Sequence, residues 1–276
     1  MRDACNVASE ATLTHHVSRF TKPIAMNTLV LMHAVRDPRA ISVNRKAQKV
    51  FVNRDDFICN PADRNALEAA LRLGGNVTAL APGAGPAETA LREARAAGAL
   101  RAILVRDDLL RAADASALTQ CVQRVVEKLG DVDLVLVGAD VLDSDAAQVG
   151  PRLAVALGWP LLPELHQVEA GEGVVRGGAV HPRDRAFHRV EVDLPAVALI
   201  ARDSNRPRYP NAAHVVTAFS APDAVEVWSA ADLGLSEADL TPVAELRGDS
   251  FPPERELGRR LEGDVVAQLV EVIRKT

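Results

Sequence analysis

The chain has little of what marks several large protein classes. Among its 276 residues are only three cysteines, Cys5, Cys59 and Cys121. They are too few and too scattered for a disulfide framework, and none stands in a CxxC or Cys/His spacing that would hold zinc, so no metal site is expected. A reducing bacterial cytoplasm is the expected setting. Basic clusters are missing too. Lys and Arg number 32 against 37 Asp and Glu, a formal net charge of -5, and the sequence pI is near 5.8. Binding to a phosphate backbone draws on clustered cations, so the charge argues against a nucleic-acid partner. No apolar run approaches the roughly 20 residues that cross a bilayer, and no stable membrane insertion is expected. Residues 1–25 lack the continuous apolar core of a secretory signal, although their Ser/Thr content and shortage of acids are similar to a transit peptide. Met26 directly precedes the first strand-like run, so this segment reads as an N-terminal extension, disordered or upstream of the true start. Absent as well are an SGGxDS-like loop and a GxSxG loop, which leaves an independent hydrolase or nucleotidyl transferase without support.

What is present suits one sizeable core, since 48% of the residues are hydrophobic and 25% charged. Thr28 to Val35 is a near-continuous apolar run of strand length, as in a strand buried on both faces of a parallel sheet. Ile41 to Val43 and Val50 to Val52 flank a polar turn and read as a hairpin. Asn60-Pro61 supplies an N-cap and a first-turn proline for a helix through Leu73. Strands at 76–80, 102–105 and 133–137 then alternate with helices at 87–97 and 115–129, a parallel βαβ array. In such sheets ligands sit beyond the carboxyl ends of the strands, where helix N-termini offer free N–H groups. From Leu161 onward glycine-separated strand runs, at 174–180 and 189–192, indicate antiparallel additions at a sheet edge, and Ala196 to Ala201 is a further strand. Residues 26–221 thus form an α/β domain. Residues 222–276 read as a C-terminal arm that closes in an amphipathic helix, Glu254 to Lys275, of the kind that docks on a partner.

The loop after the strand ending at Val137 runs from Gly138 through Asp140, Asp143 and Asp145 to Gly150-Pro151. Gly138 allows a close backbone turn, and the first helical N–H groups after Asp145 can cradle an anion. The plainer alternative is that Asp143 and Asp145 cap a helix. Likewise His33 reads as a hydrogen-bonded spacer or, alternatively, a titrating group near a flavin. The His181–His188 stretch reads as a solvated turn before it reads as a metal or phosphate site, and Trp159 and Trp228 read as packing anchors.

The segment Asp143 to Pro151 resembles the D-G-D-T-A-Q-V-G-P signature of electron-transfer flavoprotein beta subunits, especially the bifurcating and nitrogen-fixation-associated branch. Other stretches agree in order. Asn60 to Glu68 resembles N-P-x-D-x-N-A-x-E, and Glu88 to Arg101 resembles E-E-A-L-R-E-A-L-A-M-G-A-D-R. Leu194-Pro195-Ala196 with Asn205 to Pro210 resembles L-P-A then N-E-P-R-Y-P, and Trp228 to Gly234 resembles W-x-x-x-D-L-G. The match spans 26 to about 240, and ordered agreement is far more specific than any single motif. The resemblance implies an α/β, adenine nucleotide alpha hydrolase-like domain with antiparallel edge strands. It also implies a heterodimer with a flavin-bearing alpha subunit, and a beta subunit that holds FAD or, alternatively, AMP and performs no covalent chemistry. The implied nucleotide contacts are Leu31, Asn60, Pro61, Ala62, Asp63 and Ala81, together with Gly138, Ala139, Asp140, Val141, Leu142, Asp143, Ser144, Asp145, Ala146, Ala147, Gln148 and Val149.

Departures from the family pattern qualify this. The signature threonine is Ala146, and the family's A-D-T is Ala113-Asp114-Ala115, so two hydroxyls are missing unless Ser116 replaces one. At roughly 0.5–1.5 kcal/mol per hydrogen bond, affinity is expected to fall by one to several factors of ten. The family's K-Q-V-P-D is His33-Ala34-Val35-Arg36-Asp37. The partner segment Pro210 to Phe219, where a dehydrogenase or reductase is expected to dock, lacks the family's leucine and lysines. The partner is therefore not the acyl-CoA type served by the mammalian form, or docking uses another surface. Two functions follow: a beta subunit relaying electrons between a dehydrogenase or NADH and a downstream acceptor, or a nucleotide-binding adaptor on the same scaffold without redox work.

Overall fold

The computed structural model describes residues 26–244, 251, 258 and 260–275, except 53, 55, 112, 172, 182 and 184. The extension 1–25, and part of the span expected as a terminal helix, lie outside the described residues. The chain opens with β1 (Asn27–Leu31), β2 (Ala34–Arg36), β3 (Ile41–Asn44), β4 (Lys49–Val52) and β5 (Phe57–Cys59). The alternating part follows: α1 (Pro61–Leu73), β6 (Asn76–Pro82), α2 (Gly85–Ala97), β7 (Arg101–Val105), α3 (Ala115–Leu129), β8 (Leu134–Gly138) and α4 (Val149–Leu157). Next come β9 (Leu161–Gly171), β10 (Val174–Val180), β11 (Phe187–Asp193) and β12 (Ala196–Ile200). Last are α5 (Ala212–Ser220), β13 (Glu226–Trp228), α6 (Glu237–Leu240) and α7 (Val265–Lys275). No helix among the described residues is long and apolar enough to cross a membrane.

Nine strands form one sheet in the order β11-β10-β9-β12-β8-β1-β6-β7-β13. All neighbours from β9 to β13 pair in parallel, and β10 pairs antiparallel with both β9 and β11. This is the expected α/β architecture with antiparallel edge strands. Alternate residues of the central strands serve opposite faces. Val30, Leu134 and Leu136 pack with α1 and α2, whereas Leu29, Leu31, Val135 and Val137 pack with α3 and α4. Two layers of helix therefore bury the almost wholly apolar central strands, while much of β9 to β11 is exposed. Trp159 and Trp228 pack against the second layer, and the Lys128 ammonium lies 4.3 Å from the Trp228 ring centre.

Two local outcomes differ from the sequence expectation, and a third concerns a span for which no secondary structure was expected. The run Thr28 to Val35 is not one strand: β1 ends at Leu31, and β2 pairs antiparallel with β5 in a small separate sheet. The break falls where the Met32 N–H finishes the pairing to the Leu80 carbonyl and the His33 N–H turns away to a side chain. Next, the sheet continues past residue 221. β13 adds a strand beside β7, and Leu233, Leu235 and Leu240 enter the core, so the segment expected to wrap as an arm begins inside the fold. Finally, part of the span Pro210 to Phe219 is helical, since α5 packs on α2, with the Arg92 guanidinium donating to the carbonyls of Ala218 and Ala221. The β3–β4 hairpin is as expected; it pairs only with itself, and Ile41, Val43, Val50 and Val52 are exposed.

Candidate functional site

β1 and β8 lie side by side at the centre of the sheet. The chain leaves β1 for α1 on one face and leaves β8 for α4 on the other, so their carboxyl ends form a topological switch point, where sheets of this kind have their ligand crevice. α1 presents its first turn there. The Asn60 side chain is fully buried and does not cap the helix as expected; its amide donates to the Asp140 carbonyl at 2.7 Å, bridging the two loops. The Asp63 side chain is also fully buried, and one carboxylate oxygen accepts from the His33 backbone N–H at 2.7 Å and from His33 Nδ1 at 2.9 Å. The Asn60 N–H donates to the His33 carbonyl at 2.9 Å. β1, α1 and the β8 loop are thus knitted by hydrogen bonds among four residues.

Gly138 is where the two sides touch. A side-chain carbon there would lie 2.4 Å from Asp63 Oδ1 and 2.8 Å from both the carbonyl carbon and the Cβ of Ala62, so only glycine lets the backbones approach so closely. Ala139 donates its N–H to the Ile200 carbonyl at 2.9 Å, and Asp140 faces Arg202 at 3.5 Å. Val141 and Leu142 are half-buried, and Asp143, Ser144 and Asp145 are exposed. The carboxylates of the loop do not cap α4. Asp143 accepts from the Arg36 N–H at 2.8 Å and Asp145 from the Ala115 N–H at 3.4 Å, tying the loop to β2 and to the start of α3. A short helical turn, Ala146 to Gln148, then leads into α4 at Val149. Of the other expected contacts, Leu31 and Ala81 are core residues on opposite faces of the sheet. Ala62 is buried, Pro61 and Ala147 are half-buried and Gln148 is exposed. Ala146 and Ala115 are about 1% exposed and share one apolar cluster, so their methyls face the core. The two missing hydroxyls are thereby absent from the core side of the loop, not from its open face.

The polar chemistry of the crevice has two ends. Among the described residues, buried oxygens of Asn60, Asp63 and Asp140 have no hydrogen-bond partner. Such atoms are costly to leave unpaired, and each is an acceptor. At the other end, the N–H groups of Ala146, Gln148 and Val149 already donate within the loop, to Ser144 Oγ and to the Asp145 and Ala146 carbonyls, and the start of α4 offers an anion its favourable dipole. The residues present therefore fit a molecule bearing hydroxyl or amine donors at one end and an anionic group at the other, as an adenine nucleotide does.

The electron transfer flavoprotein domain model matches residues 48–233. The chain is 32% identical over 220 residues to the electron transfer flavoprotein subunit beta of Thermoanaerobacterium thermosaccharolyticum, covering 78% of this chain and 83% of that one. The chain belongs to the electron transfer flavoprotein family. It is also 30% identical over 254 residues to the caffeyl-CoA reductase-Etf complex subunit CarD of Acetobacterium woodii, covering 88% and 95% of the two chains. Protein FixA of Azorhizobium caulinodans is 32% identical over 223 residues, covering 77% and 78%.

In this family member the face of α1 turned away from the crevice grips the segment that leads to α5. Asn65 and Asn205 exchange amide hydrogen bonds, the Asn65 side chain donating to the Asn205 carbonyl at 2.7 Å and the Asn205 side chain to the Asn65 carbonyl at 2.9 Å. The buried Glu68 carboxylate accepts from Arg208 Nε at 2.8 Å and from Arg72 Nε at 2.6 Å. Burial pushes the Glu68 carboxyl up, but these hydrogen bonds outweigh it and hold the group below the usual glutamate range. Tyr209 stands 87% exposed beyond this clamp, and Val216 of α5 is exposed as well. Cys59 and Cys121 are free and buried, and burial pushes the Cys121 thiol up to about 12 and Cys59 higher still, so neither presents a reactive thiolate.

One residue of the site, Arg202, had escaped the motif comparison, whereas His33 and Arg36 were compared with the family's K-Q-V-P-D without being counted among the contacts. His33 stands two positions beyond Leu31 where the family pattern has lysine; Arg36 closes β2, and Arg202 lies just beyond β12. The rule that ligands gather beyond strand ends marks both His33 and Arg202, which immediately follows Ala201.

Proposed function

We propose that this chain is the beta subunit of a heterodimeric electron transfer flavoprotein and that it holds an adenine nucleotide, FAD or alternatively AMP, in the crevice between β1 and β8. The observation that carries this reading is the set of unpartnered buried oxygens on Asn60, Asp63 and Asp140 beside a Gly138 that admits no side chain. Those oxygens would receive the hydroxyl and amine donors of the nucleoside. The positive dipole end of α4 would face its phosphate, and the bridge from Asn60 to Asp140 ties α1 to the loop that leads there. FAD, when bound, supplies the ring that accepts and passes on electrons; the protein's part is to bind, orient and shield it. A flavin-bearing alpha subunit is the partner this reading requires, in a bacterial cytoplasm. A dehydrogenase or reductase would dock near Pro210 to Phe219, a surface supported by the exposed Tyr209 and Val216.

The test is to co-express the chain with its alpha subunit, purify the complex, release the cofactors with acid and count FAD and AMP. One flavin for the alpha subunit plus one further adenine nucleotide per heterodimer is the expected result. A single FAD and nothing more would overturn the nucleotide-binding role.

A further inference from the structure

The β3–β4 hairpin forms a sheet of its own and leaves one face uncovered. Its register sets Ile41 opposite Val52 and Val43 opposite Val50, and since alternate residues of a strand share a side, all four lie on one face. That face is wholly aliphatic, and its residues keep 40–58% of their surface exposed. A two-stranded hairpin is marginally stable by itself in water, so a bare aliphatic face on one marks a contact surface. The tip carries a second signal. Asn44 Oδ1 accepts from the Ala47 N–H at 3.0 Å and holds the turn on which Arg45 and Lys46 stand, and Lys49 opens the return strand. All three cations are exposed and have no ion pair among the described residues, whereas the flanking Arg39 and Arg54 pair with Asp37 and Asp56. From Pro38 to Arg54 the sequence has five Lys and Arg and no Asp or Glu, in a chain whose net charge is -5. The hairpin is a cationic element of an acidic protein.

We propose that the β3–β4 hairpin is the docking site of an acidic electron-carrier protein, which Arg45, Lys46 and Lys49 steer and the aliphatic face seats. The assignment rests on the reading of the chain as an electron-relay subunit. Charge complementarity selects an acidic partner. Permanent subunit interfaces are large and poor in charge, whereas electron-transfer encounters are small and electrostatically steered. Three unpaired cations beside a four-residue apolar patch fit the transient kind, not the contact with the alpha subunit. Guarding a sheet edge against mispairing would account for the cations alone, but not for the bare aliphatic face. A membrane fits less well, because the two outer edges of the hairpin leave backbone N–H and C=O groups unpaired and hydrocarbon does not admit them. Position suits a relay. The chain enters the hairpin from β2, where the Arg36 N–H is bonded to Asp143 of the β8 loop, and returns through β5 to Asn60. The hairpin is therefore rooted at the same strand ends as the crevice.

The experiment measures association of the heterodimer, co-expressed with its alpha subunit, with two probes of opposite charge, an acidic two-iron ferredoxin and basic cytochrome c. Wild type should bind the ferredoxin with an association rate that falls about tenfold between about 0.03 and about 0.3 M salt, and should not capture cytochrome c. Arg45→Gln, Lys46→Gln and Lys49→Gln combined should slow association at low salt by about tenfold and flatten its salt dependence. Val43→Thr with Val50→Thr should leave association unchanged and speed dissociation. The substituted side chains are exposed, so the fold is expected to survive. Equal association of the ferredoxin with wild type and the triple variant would overturn the proposal, as would equal capture of cytochrome c. A triple variant that no longer assembles with the alpha subunit would assign the hairpin to the subunit interface, and binding to phosphatidylserine vesicles without binding to ferredoxin would assign it to a membrane; either result overturns the docking site. A heterodimer that holds one flavin plus a further adenine nucleotide and binds neither carrier overturns the docking site and leaves the nucleotide reading standing. Ferredoxin binding through the hairpin by a heterodimer with a single FAD does the reverse.

Discussion

Gly138 is the residue on which the site closes. Replacement by alanine puts a methyl within 2.8 Å of the Ala62 carbonyl carbon, which is backbone and cannot swing aside as a long side chain would. Gly138→Ala is expected to lower unfolding stability by about 1–3 kcal/mol, the usual range for overpacking, as read by urea denaturation. A stability equal to wild type would mean that the β8 loop and α1 do not pack as described. At this scale the sequence was a good guide to identity and a poor one to orientation. Asn60 and Asp63 stand in a recognisable motif, yet the expected cap at Asn60 is absent because its amide is drawn to the Asp140 carbonyl. The Ala146 and Ala115 substitutions suggested a weakened phosphate contact, and only burial shows that both methyls face inward. Whether a residue points into a crevice or into a core depends on neighbours far along the chain, and a motif carries no record of them.

Elements with their own local signals were legible, and elements made by distant pairing were not. α1 begins at Asn60-Pro61, and α3 is announced by Asp114, whose carboxylate caps Ser116 and Ala117. β2, β5 and β13 have three residues each and exist because another strand lies beside them. Their sequences carry too short a pattern to distinguish a strand from a loop. Asp114 also accepts from the N–H groups of Val243 and Ala244, so one carboxylate both starts α3 and anchors the chain after α6. Burial pushes its carboxyl up, but the backbone donors outweigh that and hold it below the ordinary aspartate range. A carboxyl depressed in the folded state contributes stability that is complete above its unfolded value, about pH 4, and is lost as pH falls through the folded one. Asp114→Ala should therefore cost about 1–2 kcal/mol near neutral pH, in line with loss of a helix cap. The gap to wild type should shrink in acid below about pH 4; a gap independent of pH would show that the charge of Asp114 is not what matters.

For the whole molecule, the decisive feature is that β1 and β8 adjoin while their following helices take opposite faces. Alternation of strands and helices made the parallel sheet readable, but strand order is not written in any one segment, and it is the order that brings residues 31–36, 60–63 and 138–149 to one crevice. The β9–β10–β11 ribbon and β13 extend the two ends of the same sheet, well removed in strand order from that crevice. A nucleotide held at the switch point should leave both ends unaffected. The most direct measurement is hydrogen exchange of backbone amides on the full-length chain with and without AMP. Slowed exchange confined to amides around His33, Asn60 to Arg64 and Gly138 to Val149 is the expected result. Protection centred on the ribbon, or on Arg206 to Pro210, with no change at those three segments, would contradict a nucleotide site between β1 and β8.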